Sequence, residues 1–451
     1  MSASRPLART WATLAAGVTA ATLVLSGPAA QAATIDQKPV SQGASWLTGQ
    51  LTKNLVHNEQ YQFDDIGLSI DVALGLHAAH KKPEVSAAIT RAVARNVAFY
   101  VGDGDQGIYA GATAKAAWLA QVHGKDPRAF GGLDLVSQLE GRVASAAPIT
   151  GRIEDAYDPT SASGGDYANV IGQAYAAEVL ALADSPKAAP VASFLLDQQC
   201  SAGYFRLGFT ADKTAKDQTC DGAPKRQRAA DTDATAIAVL ALRNVPGAPA
   251  EQATKKAVAW LTGVQAPNGS FGGGTSTKDA NTNSTGLAGW ALTSAGALGA
   301  ATKAAVWVRN LQVAVNPCAK KLAKQGGAIA YDQDAYGTAQ GFGIKKKDQD
   351  QWRRASAQAL PVLTLAPAAT GTLTARAPGS VASGAKLRIS LTGVAPGQRV
   401  CVVEGASSYE FFSGRKATSQ VTFVVASDPG ARTFHVWVGN QRRDVTVRVT
   451  G

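Results

Sequence analysis

One short pattern, an aromatic residue followed five positions later by glutamine, recurs along the chain. This repetition limits the folds that the chain can adopt. Two stretches continue it as Gln-x-x-x-Gly-x-Phe, from Gln199 and from Gln265. Units of this kind bury their apolar face only by stacking against one another, so we expect an array of similar hairpins. The shared feature is an aromatic residue followed five positions later by glutamine, found at Phe194 and Gln199, Trp260 and Gln265, and Trp307 and Gln312.

A stretch rich in small apolar residues follows each turn. Residues 231–242 and 281–292 align position by position, and looser versions occupy 65–76, 113–120, 169–182 and 355–363. These stretches are apolar nearly all round, which predicts helices buried on both faces, whereas the preceding stretches, such as 253–264, are amphipathic. We therefore predict a mainly α fold: six outer and inner helix pairs closed into an (α/α)6 toroid over residues 33–365.

The Gln-x-x-x-Gly-x-aromatic turns and the Asp-Thr or Asn-x-x-Ser-Thr helix starts resemble the squalene cyclase-type repeats of the terpene cyclase and protein prenyltransferase superfamily. The resemblance covers about residues 45 to 363 and implies the same αα-toroid. Such repeats are structural and recur in members with unrelated activities, so they do not fix the function.

The pattern changes after the toroid. Residues 366–371 read as a linker, and from 372 to 451 helical spacing gives way to alternation between apolar and polar residues. Six or seven short strands separated by Gly and Pro turns predict a small all-β, immunoglobulin-like sandwich. The expected strands are 373–376, 386–391, 399–403, 420–425, 433–438 and 444–449.

The N-terminus has the features of a signal peptide over residues 1–32. Arg5 and Arg9 precede an apolar run at 12–25, and Ala30-Gln31-Ala32 offers a small-x-small cleavage site. The chain is basic, at +11, but export makes nucleic acid an unexpected partner. We expect a secreted, extracellular protein without a membrane span, with association with the cell wall left open.

Export favours pairing of the four cysteines. Cys200 and Cys220 bracket one long loop and are the expected pair. Cys318 and Cys401 lie in different predicted domains, so a bridge between the domains is an open alternative.

The sharpest candidate for chemistry is Asp231-x-Asp233. The resemblance suggests it, because class II terpene cyclases protonate an alkene with an aspartic acid held in Asp-x-Asp-Asp. Here the fourth position is Ala234, and the matching residues of the next repeat are Asn281 and Asn283. Asn and Asp share the ability to cap a helix rather than acid chemistry, so we interpret the pair as helix caps.

Other chemistries lack a complete set of residues. A prenyltransferase-like zinc site would need histidine in the later repeats, yet the toroid has none after His123. We expect no metal and no cofactor. The acidic stretch 154–158 resembles the paired carboxylates of αα-barrel glycan hydrolases in composition only.

Two long inter-helix segments, 206–230 and 314–348, are basic and each contains a cysteine. They could cap the mouth of the toroid and attract an anionic ligand, or be solvated loops.

We therefore expect a non-catalytic extracellular module that binds a small-molecule or cell-wall ligand at the helix N-terminal mouth. One alternative is a cyclase-like enzyme using Asp233 as general acid with support from Asp231. Another is a glycan-active enzyme using Glu154 and Asp158. The expected ligand-binding residues are Asp65, Tyr109, Asp155, Tyr157, Asp231, Asp233, Asn281, Asn283 and Trp290.

Overall fold

A computed structural model describes residues 34–102, 107–158, 165–412, 417–425 and 428–451. The predicted signal peptide and its cleavage site lie outside the described residues. Among the helices of these ranges, none has both the length and the apolar character needed to cross a bilayer.

The first part of the chain is helical. Its α-helices are α1 Lys38–Thr48, α2 Ile66–Ala78, α3 Pro83–Arg95, α4 Val97–Val101, α5 Ala110–Val122, α6 Leu135–Glu140, α7 Val170–Leu182, α8 Ala188–Asp197, α9 Thr232–Leu242, α10 Ala248–Val264, α11 Thr282–Ser294, α12 Leu298–Asn310, α13 Gln333–Phe342 and α14 Gln349–Ala359. Short strands β1 Leu51–Thr52, β2 Leu55–Asn58, β3 Phe63–Asp65, β4 Gly107–Ile108 and β5 Ala156–Tyr157 lie between them.

Six helices form a closed inner ring. Helices α2, α5, α7, α9, α11 and α14 each contact the next, and α14 contacts α2. The outer helices α3, α6, α8, α10, α12 and α1 pack on them in the same order. The predicted (α/α)6 toroid is confirmed, with α1 supplying the outer helix for α14.

The glutamine of the repeat joins neighbouring hairpins. Its side-chain amide donates both to its own turn and to the next outer helix, so Gln265 Nε2 contacts the carbonyl oxygens of Gly269 and Ala300 at 3.0 and 2.9 Å. Gln312 does the same to Gly327 and to Pro39 of α1. The repeat thus carries the ring from its last outer helix back to its first.

The glycine of the repeat is required by close approach. Gly269 has φ of +99°, and a Cβ there would lie 2.3 Å from the carbonyl oxygen of Lys303 on the next outer helix. Gly203 and Gly327 have the same left-handed conformation and similar neighbours. A side chain at any of these positions would separate two hairpins, so these residues serve the architecture.

The C-terminal part is a β-sandwich. One sheet has the strand order β10-β9-β12-β13-β7 and the other β11-β8-β6, and all pairs are antiparallel except β13 with β7. Their inner faces share a separate apolar core, as expected for an immunoglobulin-like domain. Two strands, β7 and β10, were missing from the sequence prediction. The strands are β6 Thr374–Arg376, β7 Ser380–Ala382, β8 Lys386–Thr392, β9 Val400–Glu404, β10 Ser407–Phe411, β11 Gln420–Val424, β12 Gly430–Val438 and β13 Gln441–Thr450.

The expected pair, Cys200–Cys220, and the pair left open, Cys318–Cys401, are both disulfides. Cys200–Cys220 closes the segment 206–230 onto α8, and Cys318–Cys401 joins the toroid to β9 of the sandwich. The predicted linker is also anchored, because the carbonyl oxygen of Ala366 accepts from the amide of Asp36 and the amide of Ala368 donates to the carbonyl oxygen of Thr34.

The segment 314–348 contains regular secondary structure, which neither the mouth-cap nor the solvated-loop interpretation predicted. It contains a 3-10 turn, Pro317–Leu322, and helix α13, both on the side of the sandwich. Tyr336 and Gln340 of α13 hydrogen-bond to Glu410 of β10. Part of this segment therefore forms the contact between the two domains.

Candidate functional site

The inner helices all run in the same direction, because an outer helix returns the chain between them. Their N-termini therefore meet at one end of the ring, which we call the mouth. Asp65, Tyr109, Asp231 and Asn281 are the N-cap residues of α2, α5, α9 and α11. Four of the predicted ligand-binding residues thus lie around the mouth, in different sectors.

Three tyrosines lie together beside α5 and α7, and we call them the tyrosine triad: Tyr109, Tyr157 and Tyr167. Tyr157 pairs across β4 and β5 with Gly107, two residues before Tyr109. Asp155 joins the group by accepting hydrogen bonds from the amides of Ala110 and Tyr167, at 2.7 and 2.9 Å. The three tyrosines are 43%, 40% and 64% exposed, so part of each residue faces solvent at the mouth.

Asp155 is part of a network rather than an isolated acid. Burial raises its pKa, although the two amide hydrogen bonds oppose the rise. The neighbouring Asp166 accepts from Arg152 and Lys213 at 3.0 and 2.9 Å, and with the Asp155 amide these contacts outweigh burial and lower its pKa.

Lys213 also pairs with Glu154 at 2.6 Å. The segment 206–230 therefore packs against the mouth through Lys213, and Glu154 is held as the partner of a cation.

The Asp231-x-Asp233 pair is divided by the helix start. Asp231 Oδ1 accepts from the amide of Ala234 at 2.8 Å, and Asn281 Oδ1 accepts from the amide of Ser284 at 2.8 Å. The capping interpretation therefore fits Asp231 and Asn281. Asp233 is the second residue of α9, within its first turn, and does not cap it. Burial raises the pKa of Asp233 to about 6, and Asp231 adds to the rise.

A glycine-rich turn, 272–277, covers both carboxylates. A Cβ at Gly274 would lie 1.9 Å from Asp231 Oδ2, and one at Gly273 would lie 3.2 Å from Asp233 Oδ2. Ser284 approaches Asp233 and offsets part of the pKa rise, although neither Asp233 Oδ1 nor the Ser284 oxygen has a hydrogen bond of normal geometry. The turn leaves these groups little room for a substrate.

The remaining predicted residues lie elsewhere. Asn283 donates to Gln358 Oε1 of α14 at 2.8 Å. Trp290 lies deeper in the ring, with its ring centroid 6.2 Å from that of Trp118. The structure therefore brings Tyr109, Asp155 and Tyr157 together, groups Asp231 and Asp233 with Asn281 separately, and places Trp290 apart from both.

A second charged group at the mouth was missed by the sequence analysis. Asp65 pairs with Arg354 at 2.8 Å, and Asp71 pairs with Lys115 at 2.5 Å. Both pairs act on Tyr100, whose pKa is raised chiefly by burial. We call these four charged residues the charge quartet. Asp71 belongs to α2, Lys115 to α5 and Arg354 to α14, and Asp65 is the N-cap of α2.

The quartet remains partly open to solvent. The Arg354 side chain is 42% exposed, while those of Lys115 and Asp71 are 16% and 13% exposed. Asp71, Lys115 and Arg354 each lie at the sixth position of an inner helix, which is the only sequence signal that could have grouped them.

Aromatic side chains occupy the ring beside and below the quartet. Trp118 stacks on Tyr175 with centroids 4.8 Å apart, and Trp290 follows. Glu178 is buried beside them and accepts from Asn244 at 2.7 Å. Burial raises the pKa of Glu178 to about 7. Within the described ranges, no cluster of three His, Cys, Asp or Glu side chains suits a metal ion.

Comparison with known proteins relies on structure. No family model matches the chain, and no curated protein matches it. The type II terpene cyclase MstE from Scytonema, without ligand, is similar with a TM-score of 0.50 and 15% identity, over 73% of this chain and 97% of that one. An ent-copalyl diphosphate synthase from Streptomyces platensis is 17% identical over 66% of this chain and 50% of that chain, with a TM-score of 0.39.

A glycosidase in complex with glucose is also similar, with 12% identity over 72% of this chain and 97% of that chain and a TM-score of 0.44. At these identities the similarity concerns the fold and not the activity. The chain has the αα-toroid fold found in type II terpene cyclases, followed by an all-β, immunoglobulin-like domain.

Proposed function

We propose that the protein is a secreted, non-catalytic module that binds a small-molecule or cell-wall ligand at the mouth of the toroid. The observation that carries the proposal is the exposure of Tyr109, Tyr157 and Tyr167 in one group at the mouth. Exposed aromatic groups beside convergent polar residues are typical of ligand sites. The charge quartet supplies such polar residues at the same end of the ring.

The state of the carboxylates supports binding over catalysis. Asp231 is committed to capping α9, and the turn 272–277 covers Asp233. Glu154 is paired with Lys213, which disfavours a role as proton donor to a glycosidic oxygen. Asp231, Asp233 and Glu154 thus each already have a structural partner or a cover.

Native mass spectrometry of protein purified from culture supernatant tests the proposal. We expect a retained molecule, or a thermal shift with at least one of a panel of corrinoids, isoprenoids and cell-wall fragments. Arg354→Gln should weaken that binding, because the Arg354 side chain is open at the mouth, whereas Arg388→Gln on the exposed face of β8 should not. The absence of any ligand across both assays would refute the proposal. The mass of the supernatant protein also tests secretion, because cleavage of the signal peptide should make the protein begin after Ala32.

A cyclase-like activity is the second candidate, favoured by one observation. Asp233 combines a pKa of about 6 with a buried Oδ1 that lacks a hydrogen-bond partner. Incubation with linear polyprenyl substrates tests it. A cyclised product that disappears in Asp233→Asn would establish the activity and overturn the non-catalytic assignment.

A further inference from the structure

The charge quartet has no net charge, and this restricts the ligand. It contains two carboxylates, Asp65 and Asp71, and two cations, Arg354 and Lys115, each paired with one of the acids. A charged ligand that displaced one member of a pair would leave the other without its partner, which is costly in a partly buried place. A neutral ligand avoids this cost.

Hydroxyl groups fit the quartet without breaking either pair. A hydroxyl donates one hydrogen bond and accepts others, so it can bridge a carboxylate and a neighbouring ammonium or guanidinium group. Carboxylates have several acceptor positions, and Arg354 has five N–H donors, of which one is described as bound to Asp65. Adjacent hydroxyls on one molecule would find donors and acceptors side by side.

The tyrosine triad offers flat apolar faces that end in hydroxyls. Tyr167 lies beside Gly165, where a Cβ would be 3.2 Å from the ring, so a side chain at that position would crowd the ring. Aromatic faces pack against the C–H faces of pyranose rings, while the phenol groups hydrogen-bond to water or to ligand.

A long apolar ligand fits less well. Its path into the ring would cross the charged quartet, and below the quartet Trp118, Tyr175 and Trp290 already pack against one another. Burial of an apolar chain next to two ion pairs would remove water from them without replacing its hydrogen bonds. The described residues therefore favour a ligand whose polar groups and apolar faces alternate.

We propose that the mouth binds the end of a neutral oligosaccharide, with sugar rings stacked on the tyrosine triad and hydroxyls hydrogen-bonded to the charge quartet. This rests on the proposed function, since it names the ligand class for the same site. No bond is made or broken in this binding.

The test is calorimetric titration of the full secreted chain with neutral cello-, chito-, manno- and xylo-oligosaccharides, in reducing-end-blocked form. We expect at least one series to bind. The double variant Tyr109→Ala/Tyr157→Ala should lose about tenfold or more in affinity, since each lost aromatic contact costs a sizeable part of a tenfold step. Leu182→Ala removes an apolar side chain that is 53% exposed at the C-terminal end of inner helix α7, opposite the mouth, and should bind as the parent does.

The outcomes separate this inference from the proposed function. Circular dichroism and thermal unfolding establish that the variants are folded, and Tyr157→Phe, which keeps the ring, should retain most of the affinity. If no oligosaccharide binds but another molecule is retained and is lost in Arg354→Gln, the saccharide assignment is wrong and the mouth remains a ligand site. Saccharide binding that survives the double tyrosine variant also overturns it.

Discussion

Arg354, on the last inner helix of the ring, donates a hydrogen bond of 2.8 Å to Asp65, which begins the first. The other oxygen of the same carboxylate accepts from the amide of Leu68 at 2.7 Å. One side chain therefore caps α2 and also joins the two ends of the ring. The toroid is closed by this polar contact in addition to the apolar packing of α14 on α2.

Replacement of Asp65 by alanine should lower the free energy of unfolding by about 1–2 kcal/mol, the range expected for a lost N-cap. Asp65→Asn should cost less, because an asparagine oxygen can still cap the helix. Urea denaturation followed by circular dichroism measures both. Equal losses in the two variants would show that the pair with Arg354, and not the cap, carries the stability.

The two disulfides should differ in their contributions. Chain-entropy arguments give about 3 kcal/mol for Cys200–Cys220, which are 20 residues apart, and about 4–5 kcal/mol for Cys318–Cys401, which are 83 apart. Paired serine variants in guanidinium denaturation without reductant measure the difference. A larger loss from the 200/220 pair would mean that the docked sandwich holds its place without the covalent bond.

Local signals predicted much of the fold, because they act over one hairpin. The glutamines and glycines of the repeat contact their own turn and the next outer helix, so their spacing is visible in the chain. The capping role of Asp231 and Asn281 followed from the same alignment. The strands β7 and β10 were missed because each is short and mostly half-exposed or exposed, which leaves little alternation to read.

The charge quartet could not be predicted in the same way. Asp71 and Lys115 lie 44 positions apart, and their contact depends on how α5 is rotated and shifted against α2. Nothing in either helix alone fixes that register. Helix α13 was missed for a related reason: its side chains Tyr336 and Gln340 are partnered by the sandwich, so its helical pattern is weak within its own segment.

The contact between Arg399 and Glu410 should behave as a buried ion pair. Arg399 is 1% exposed, bonds to Glu410 at 2.8 Å and to the carbonyl oxygen of Asn310, and stacks 3.4 Å from the ring centroid of Tyr336. Glu410→Ala would leave the guanidinium buried without its carboxylate and should cost about 3–5 kcal/mol.

The double variant Arg399→Met/Glu410→Met should recover a large part of that loss, because neither charge then needs a partner. Denaturation of the parent and of the two variants at one pH compares them. A double variant as unstable as Glu410→Ala would indicate that the stacking of Arg399 on Tyr336, and not the charge pair, holds the domains together.

Glu178 should make stability fall as pH rises. Its pKa is raised by burial from 4.5 to about 7, so between these values the folded chain keeps a proton that the unfolded chain has lost. Unfolding then releases a proton, and the free energy of unfolding decreases with pH across this window. Above about pH 7 the carboxylate is ionised in both states and the full penalty applies.

In the parent protein Asn244 donates to Glu178 Oε1. Glu178→Gln removes the charge and keeps a side-chain oxygen that can accept this hydrogen bond. The variant should exceed the parent in stability by about 1–3 kcal/mol at pH 8 and match it near pH 4, since one pKa unit corresponds to about 1.4 kcal/mol. Urea denaturation at both pH values measures this, with the exposed Glu59→Gln as control. A constant difference between the two pH values would show that Glu178 titrates normally and that solvent reaches it among the aromatic rings.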